Sequence, residues 1–427
     1  MCFIFLIFSL IYVSNSFEIR QCRNLRMSTN LGHTNETPKN NADKYNNNKS
    51  MIPKIARVAA AGAVIKPMVS KAATLEETIT INGVEVDKLP LGRDAYTALG
   101  NTVTCKLLNG MWQVSGAHGY TPERDSVVSE MSRAVNSGFT TFDLADIYGP
   151  AEDYVGEFTK GIRSSEFSKE CQFFTKWVPR PTRISRKETE DAIGRSLRRM
   201  NTDRLDLVQF HWWDYGVPYY FDAMDHLMNL KQNGQIRNIG LTNFDTEHMV
   251  GLINQGAPIV SNQVAFSLID TRPLQRMIPA CNDRNVKLLC YATLMGGFIS
   301  KRWLGKQEPD YNHIKNVSLR KYLPWIRAWG GWSLFQELLQ VLDKIAKKYQ
   351  VSISNVAVRW VIEQPAVGGA IVGARLGLDG CEHVTDNQQV FTFSLDAEDK
   401  IAIQSIQSKG KDLVDFFGDC GGEYRRA

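Results

Sequence analysis

From Thr104 onward, short apolar runs rich in β-branched and aromatic residues alternate with stretches whose apolar positions recur at helical spacing. Such alternation predicts a parallel sheet with crossover helices. The candidate strands are residues 105–112 (CKLLNGMW), 140–145 (TTFDLA), 172–178 (QFFTKWV) and 205–212 (LDLVQFHW). They continue with 236–243 (IRNIGLTN), 259–266 (IVSNQVAF), 286–294 (VKLLCYATL) and 368–374 (GGAIVGA). Residues 186–200 (RKETEDAIGRSLRRM) and 222–235 (DAMDHLMNLKQNGQ) predict two of the intervening helices, the second ended by Gly234 near its C-cap. Eight strands over about 280 residues predict an α/β fold closed as a (β/α)8 TIM barrel. No G-x-G-x-x-G follows a strand, which disfavours a Rossmann domain.

One connection breaks the rhythm. Between the seventh strand and a helix near Glu337, residues 296–331 predict a long loop carrying Trp303, Tyr311, Tyr322, Trp325 and Trp329. Its length and aromatic content point to a functional loop over the C-terminal face, where barrels place their active sites.

The N-terminal region has a different pattern. Residues 2–13 are an apolar run too short to span a bilayer as a mature helix, followed by Ser-Asn-Ser before Phe17, as in a signal peptide. An Asn/Ser/Thr/Lys-rich, acid-poor stretch follows and offers little for a core. Together these resemble the bipartite plastid leaders of algae with secondary plastids. A third piece, KIARVAAAGAVIKPMVSKAA, could direct passage into the thylakoid lumen or form an ordinary transit-peptide helix. The expected division is a disordered targeting region at 1–75 and one barrel domain at 76–427, with a plastid destination. Charge supports that division. The chain's net +5 is concentrated in residues 1–72, which hold ten Lys/Arg against three acids, so the remainder is close to neutral. No nucleic-acid partner is expected, nor any membrane insertion of the mature protein.

Eight cysteines in 427 residues are too sparse for a disulfide scaffold, and none has the short spacing of a zinc or thioredoxin-type site, so no metal is expected. Cys281 and Cys290 are either two buried apolar residues or a redox pair.

Polar residues near the ends of adjacent strands carry the candidate chemistry: Asp143 and Tyr148 in FDLADIYG, Lys176 in FFTKW and His211 in LVQFHWW. Reducing a carbonyl builds negative charge on its oxygen, which requires a proton donor beside it. Tyr148 fits that role. A neighbouring Lys176 is expected to lower the phenol's pKa, Asp143 to hold Lys176, and His211 to hydrogen-bond the carbonyl.

These segments, with IGLTNFD, SNQVAFS and YATLMGGFIS in the same order, resemble the aldo-keto reductase family over residues 104–410. GMWQVSGAHGY, HWWDY, WGGWSLFQELLQ and GKDLVDFFGDCGGEYRRA are similar to its plant and cyanobacterial branch. The resemblance implies Asp143, Tyr148, Lys176 and His211 as a catalytic tetrad and NADPH as cofactor. It places Thr242, Asn243 and Gln263 on the nicotinamide carboxamide, Tyr291 stacked on its ring, and Gly110, Met111 and Trp112 along the cofactor. Arg375 in VGARLG and Asn387 would contact the phosphate and adenine end, although twelve residues separate them where about eight are expected. Leu376, Gly377 and His383 are affected by the same departure.

Trp112, Trp177, Trp212 and Trp213 are expected to wall a pocket for an aldehyde, ketone or sugar. The protein is expected to work as a monomer or loose oligomer. A second reading is a non-catalytic or slow nicotinamide sensor, like the channel-associated β subunits that share this fold.

Overall fold

Eight parallel strands close into a barrel in chain order: β1 Leu107–Gly110, β2 Thr141–Asp143, β3 Gln172–Trp177, β4 Leu205–His211, β5 Ile236–Thr242, β6 Ile259–Ala265, β7 Lys287–Tyr291 and β8 Val367–Gly373. The computed structural model describes residues 80–81, 84–85, 88–161, 170–378 and 383–425. The leader and the expected boundary at 75/76 lie outside the described residues. Each of the eight expected segments overlaps a strand.

Strand parity sorts the side chains, because successive residues point to opposite faces. Leu108, Phe174, Leu207 and Leu289 meet in one small cluster, separate from the large core to which Phe173, Trp177, Phe210 and Trp212 belong. The first set faces the barrel axis and the second faces the surrounding helices. Toward the C-terminal ends of the strands, the inward positions become polar at Asp143, Lys176, Gln209, His211 and Gln263, all of them buried.

The other end is plugged. Tyr96–Leu99 and Thr102–Cys105 pair antiparallel, and Leu99 joins the inner cluster. The Asn101 backbone N–H donates to Asn238 Oδ1 of β5 at 3.2 Å, tying the hairpin turn to the barrel floor. The expected first strand began at Cys105, but Cys105 belongs to this hairpin, and β1 starts only at Leu107.

Helices occupy the expected crossovers. Arg186–Arg199 begins with a capping box between Ser185 and Glu188, and Tyr220–Gln232 is followed by Gly234 at φ 82°. The segment after β7 corrects the expectation of a long loop. Its second half is a helix, α1 Val317–Trp329, which runs into α2 Gly331–Tyr349. Pro324 sits inside α1 and masked its helical pattern, yet Tyr322, Trp325 and Trp329 are buried along one side.

Among the described residues no helix is long and apolar enough to cross a membrane. Cys281 and Cys290 are both free and buried, and burial pushes both thiols up, Cys281 to about 12. They are apolar packing residues.

Candidate active site

The last inward position of β2 organises the barrel mouth. Asp143 Oδ2 accepts from Lys176 Nζ at 2.7 Å, and its Oδ1 accepts from Gln209 Nε2 at 2.9 Å and Gln263 Nε2 at 2.7 Å. Lys176 also donates to the Leu144 carbonyl at 2.9 Å. Burial lowers the Lys176 pKa, and Asp143 opposes that shift. Gln263 was expected to face the nicotinamide, but here its amide is engaged by Asp143 and by Gln209 Oε1 at 2.6 Å. The sequence reading missed Gln209, which shares the inward parity of His211 two residues later on β4.

Tyr148 lies on the turn after β2, with the Lys176 ammonium 4.9 Å from its ring centre. Arg199 clamps the turn from below. Its guanidinium donates to the Asp146 carbonyl at 3.3 Å and to the Gly149 carbonyl, and it pairs with Glu152 at 3.0 Å and Asp153 at 2.9 Å. Glu152 in turn accepts from Thr175 Oγ1 of β3 at 2.8 Å, so the turn is braced against the neighbouring strand. The phenol's pKa differs in direction from the expectation. Burial, aided by the Asp143 charge, pushes Tyr148 well above its usual value. Lys176, paired with Asp143, does not reverse that shift.

His211 is buried, and its Nε2 has no hydrogen-bond partner. Trp213 lies 4.3 Å from its ring centre and Tyr424 5.8 Å. Burial, then the charges of Arg425 and Lys176, lower its pKa from 6.5 to about 3. The imidazole is therefore neutral at physiological pH and can present an N–H. The unfolded chain takes up this proton first, so His211 costs stability as the pH falls from 6.5 toward 3. Nitrogen-15 chemical shifts of His211 should remain those of a neutral ring at about pH 5; a transition near the unperturbed value would show that this burial is wrong.

Around this centre the structure gathers most of the other expected residues. Gly110 pairs with Asp143 on one side and Gly373 on the other, and the Met111 N–H donates to the Asp143 carbonyl at 2.8 Å. Trp112 is half-buried, edge-on to His118 at 4.7 Å. Thr242 is buried with its hydroxyl unpartnered, and Asn243 follows with φ 56°, a left-handed conformation that Asn tolerates. The Tyr291 hydroxyl bridges Asn243 Oδ1 and Glu423 Oε1, both at 2.8 Å.

Arg375, Leu376, His383 and Asn387 line one cleft with Glu130 and Arg133. The unusual spacing of Arg375 and Asn387 therefore does not separate them. The Gly377 N–H donates to Glu130 Oε2 at 2.7 Å, which fixes the turn. Asp379 and Glu382, the sequence's alternative partners for Arg375, lie outside the described residues.

Two expected pocket walls are corrected. Trp177 stacks on Phe210 at 5.4 Å in the core between barrel and helices. Trp212 is fully buried there too, its indole N–H donating to the Asp214 and Val217 carbonyls at 2.8 and 2.9 Å. Each follows an inward residue, Lys176 or His211, and so points outward. Trp112 and Trp213 remain at the mouth.

The C-terminal segment, absent from the sequence reading of the site, supplies the missing wall. The buried Arg272 guanidinium joins Asp270 at 2.8 Å to Glu423 at 2.9 Å and also donates to the Gly418 and Asp419 carbonyls. Gly421 sits at φ 77° against the Asn243 carbonyl, where a Cβ would collide with that oxygen. Tyr424 then reaches His211, and Arg425 donates to the Asn243 carbonyl and the Tyr215 hydroxyl.

The Aldo/keto reductase family profile matches residues 106–408. The chain is 28% identical over 330 residues to aldo-keto reductase YhdN of Bacillus subtilis, covering 73% of this chain and 93% of that protein. It is 25% identical over 303 residues to the chloroplastic pyridoxal reductase of Arabidopsis thaliana, covering 67% and 78% respectively. Among solved structures, the glycerol dehydrogenase of Gluconobacter oxydans aligns with a TM-score of 0.62 at 24% identity, over 76% of this chain and 97% of that one.

Proposed function

The chain belongs to the aldo/keto reductase family, and on that premise we propose that it reduces a small carbonyl compound with NADPH, using Tyr148 as the proton donor. The observation that carries this reading is the buried Lys176–Asp143 pair beneath Tyr148, with the unpartnered Nε2 of His211 in the same mouth.

The residues suit a nicotinamide cofactor. The Thr242 hydroxyl is buried without a partner close to Asn243 and Tyr291, and Arg375 and Asn387 share a cleft beside the end of β8. Thr242, Asn243 and Tyr291 would hold the nicotinamide end, with Gly110, Met111 and Trp112 beside it. Gln263 would act from behind, through Asp143. Arg375 and Asn387 would hold the adenosine end. When bound, NADPH supplies the hydride. His211, neutral, donates to the carbonyl oxygen and fixes its position. The Tyr148 hydroxyl passes its proton to that oxygen, and Lys176 stabilises the phenolate left behind. A high phenol pKa suits this role, since Tyr148 stays protonated until the oxygen beside it gains charge. Trp112, Trp213 and Tyr424 exclude water from the reacting atoms. A panel of aldehydes, ketones and sugars tests the reading through NADPH consumption. A protein that binds NADPH but consumes none with any of them would not be a reductase.

NADPH differs from NADH by one 2′-phosphate, which calls for a fixed cation. Arg375 can grip phosphate oxygens in a bidentate manner, and Arg133 lies in the same cleft to offset Glu130. Arg375→Ala should weaken NADPH binding by roughly 1.5–3 kcal/mol, the range for a charged hydrogen bond, and leave NADH nearly unchanged. Calorimetric titration of both cofactors checks this. Equal losses for the two would mean that Arg375 does not read the phosphate.

A further inference from the structure

The helix that replaces the expected long loop brings one cation to the mouth. Lys321, on α1, is half-buried, and its ammonium donates to the Tyr424 hydroxyl at 2.5 Å. Four rings surround it, with centres at 4.9 Å (Tyr424), 5.2 Å (Tyr322), 5.4 Å (Tyr291) and 5.9 Å (Trp112). Among the described residues no ion pair joins Lys321 to a carboxylate. The nearby Glu423 does not serve, because Arg272 engages one of its oxygens at 2.9 Å and the Tyr291 hydroxyl the other at 2.8 Å.

Lys321 is also held in place. Gly296, on the turn after β7, lies so close under α1 that a Cβ there would come within 2.8 Å of the Ser318 carbonyl. Tyr424 connects it to the reacting centre, since that ring is 5.8 Å from the His211 ring. A second cation, Arg425, bonds only to neutral oxygens among the described residues and adds positive field at His211. Lys321 and Arg425 thus bring to the mouth two cations that no ion pair among the described residues joins to an acid.

We propose that Lys321 is a specificity residue that binds an anionic group, carboxylate or phosphate, on the carbonyl substrate, so that the preferred substrates are acidic aldehydes or ketones. The proposal rests on the reductase reading above and deepens it. The aromatic rings hold the half-buried ammonium without neutralising it, so an incoming anion gains a charge-assisted bond worth more than at an open surface. An uncharged carbonyl compound of the same shape gains nothing from Lys321.

The test compares 4-carboxybenzaldehyde with its methyl ester, which offers the same aldehyde without the charge. The native protein should show a kcat/KM for the acid at least ~10-fold above that for the ester. Lys321→Met, which keeps the apolar stem, should abolish the preference through the KM of the acid, leaving the ester within about two-fold and NADPH affinity unchanged. Lys321→Arg should retain most of the preference. Inorganic phosphate should inhibit the native protein more than the Met variant if a phosphate can take the place of the carboxylate. Binding is read independently by calorimetric titration of 4-(hydroxymethyl)benzoate and its methyl ester onto the protein loaded with NADP. Selective binding of the acid that depends on Lys321, without turnover of either aldehyde, would support the anion site and remove the reductase reading. Equal binding and turnover of acid and ester, or a loss of NADPH affinity in Lys321→Met, would overturn the proposal.

Discussion

Tyr148→Phe should bind NADPH as the native protein does and yet reduce aldehydes at least ~100-fold more slowly, about 3 kcal/mol of barrier. The substitution removes one oxygen and keeps the ring that packs 4.9 Å from the Lys176 ammonium. The Lys176–Asp143 pair, bonded at 2.7 Å independently of Tyr148, should persist. His211 would still orient the carbonyl, but no proton would be delivered as charge builds on its oxygen. Single-turnover reduction at saturating NADPH separates this effect from binding. A near-native rate would assign the proton to another group and end the tetrad reading.

The architecture was legible because each barrel strand is a short apolar-rich run, and several carry an inward polar residue near their C-terminal end, a local signal. The catalytic set was legible for the same reason, since Asp143, Tyr148, Lys176 and His211 lie at or just beyond strand ends. The errors have specific origins. A Trp near a strand end need not wall the pocket: Lys176 and His211 facing inward already imply that Trp177 and Trp212 face outward. Gln209 was equally available from the parity of β4. The helix Val317–Trp329 was hidden by Pro324, which interrupts an apolar side built from Tyr322, Leu323, Trp325, Ile326 and Trp329. The C-terminal wall could not have been found locally: Arg272 meets Glu423 across 151 residues of chain, and nothing near either residue announces the other.

That distant contact supports the second large effect. Arg272→Met should destabilise the protein by about 3–5 kcal/mol, the usual cost of removing one partner from a buried ion network. Arg272 is 1% exposed, Asp270 0% and the Glu423 side chain 2%, so water cannot replace the lost guanidinium. Burial already raises the Asp270 pKa despite the pull of Arg272, while at Glu423 that pull outweighs burial and lowers the value. Without Arg272 both carboxyls should take up protons, and the Gly418 and Asp419 carbonyls would lose their donor. Released from this anchor, the C-terminal segment should become cleavable by protease, and Tyr291 would lose a firmly placed hydrogen-bond acceptor. The triple variant Arg272→Met, Asp270→Asn, Glu423→Gln distinguishes burial of unpaired charge from simple loss of packing against Trp325 and Phe417, whose rings lie 5.6 and 5.4 Å from the guanidinium. Removing all three charges together should recover much of the lost stability, because a neutral set leaves no ion stranded in the core. Urea unfolding of the native, single and triple variants measures the difference. If the single variant lost less than about 1 kcal/mol, the range of an exposed pair, the network could not be the buried clamp that holds the C-terminal wall over the mouth.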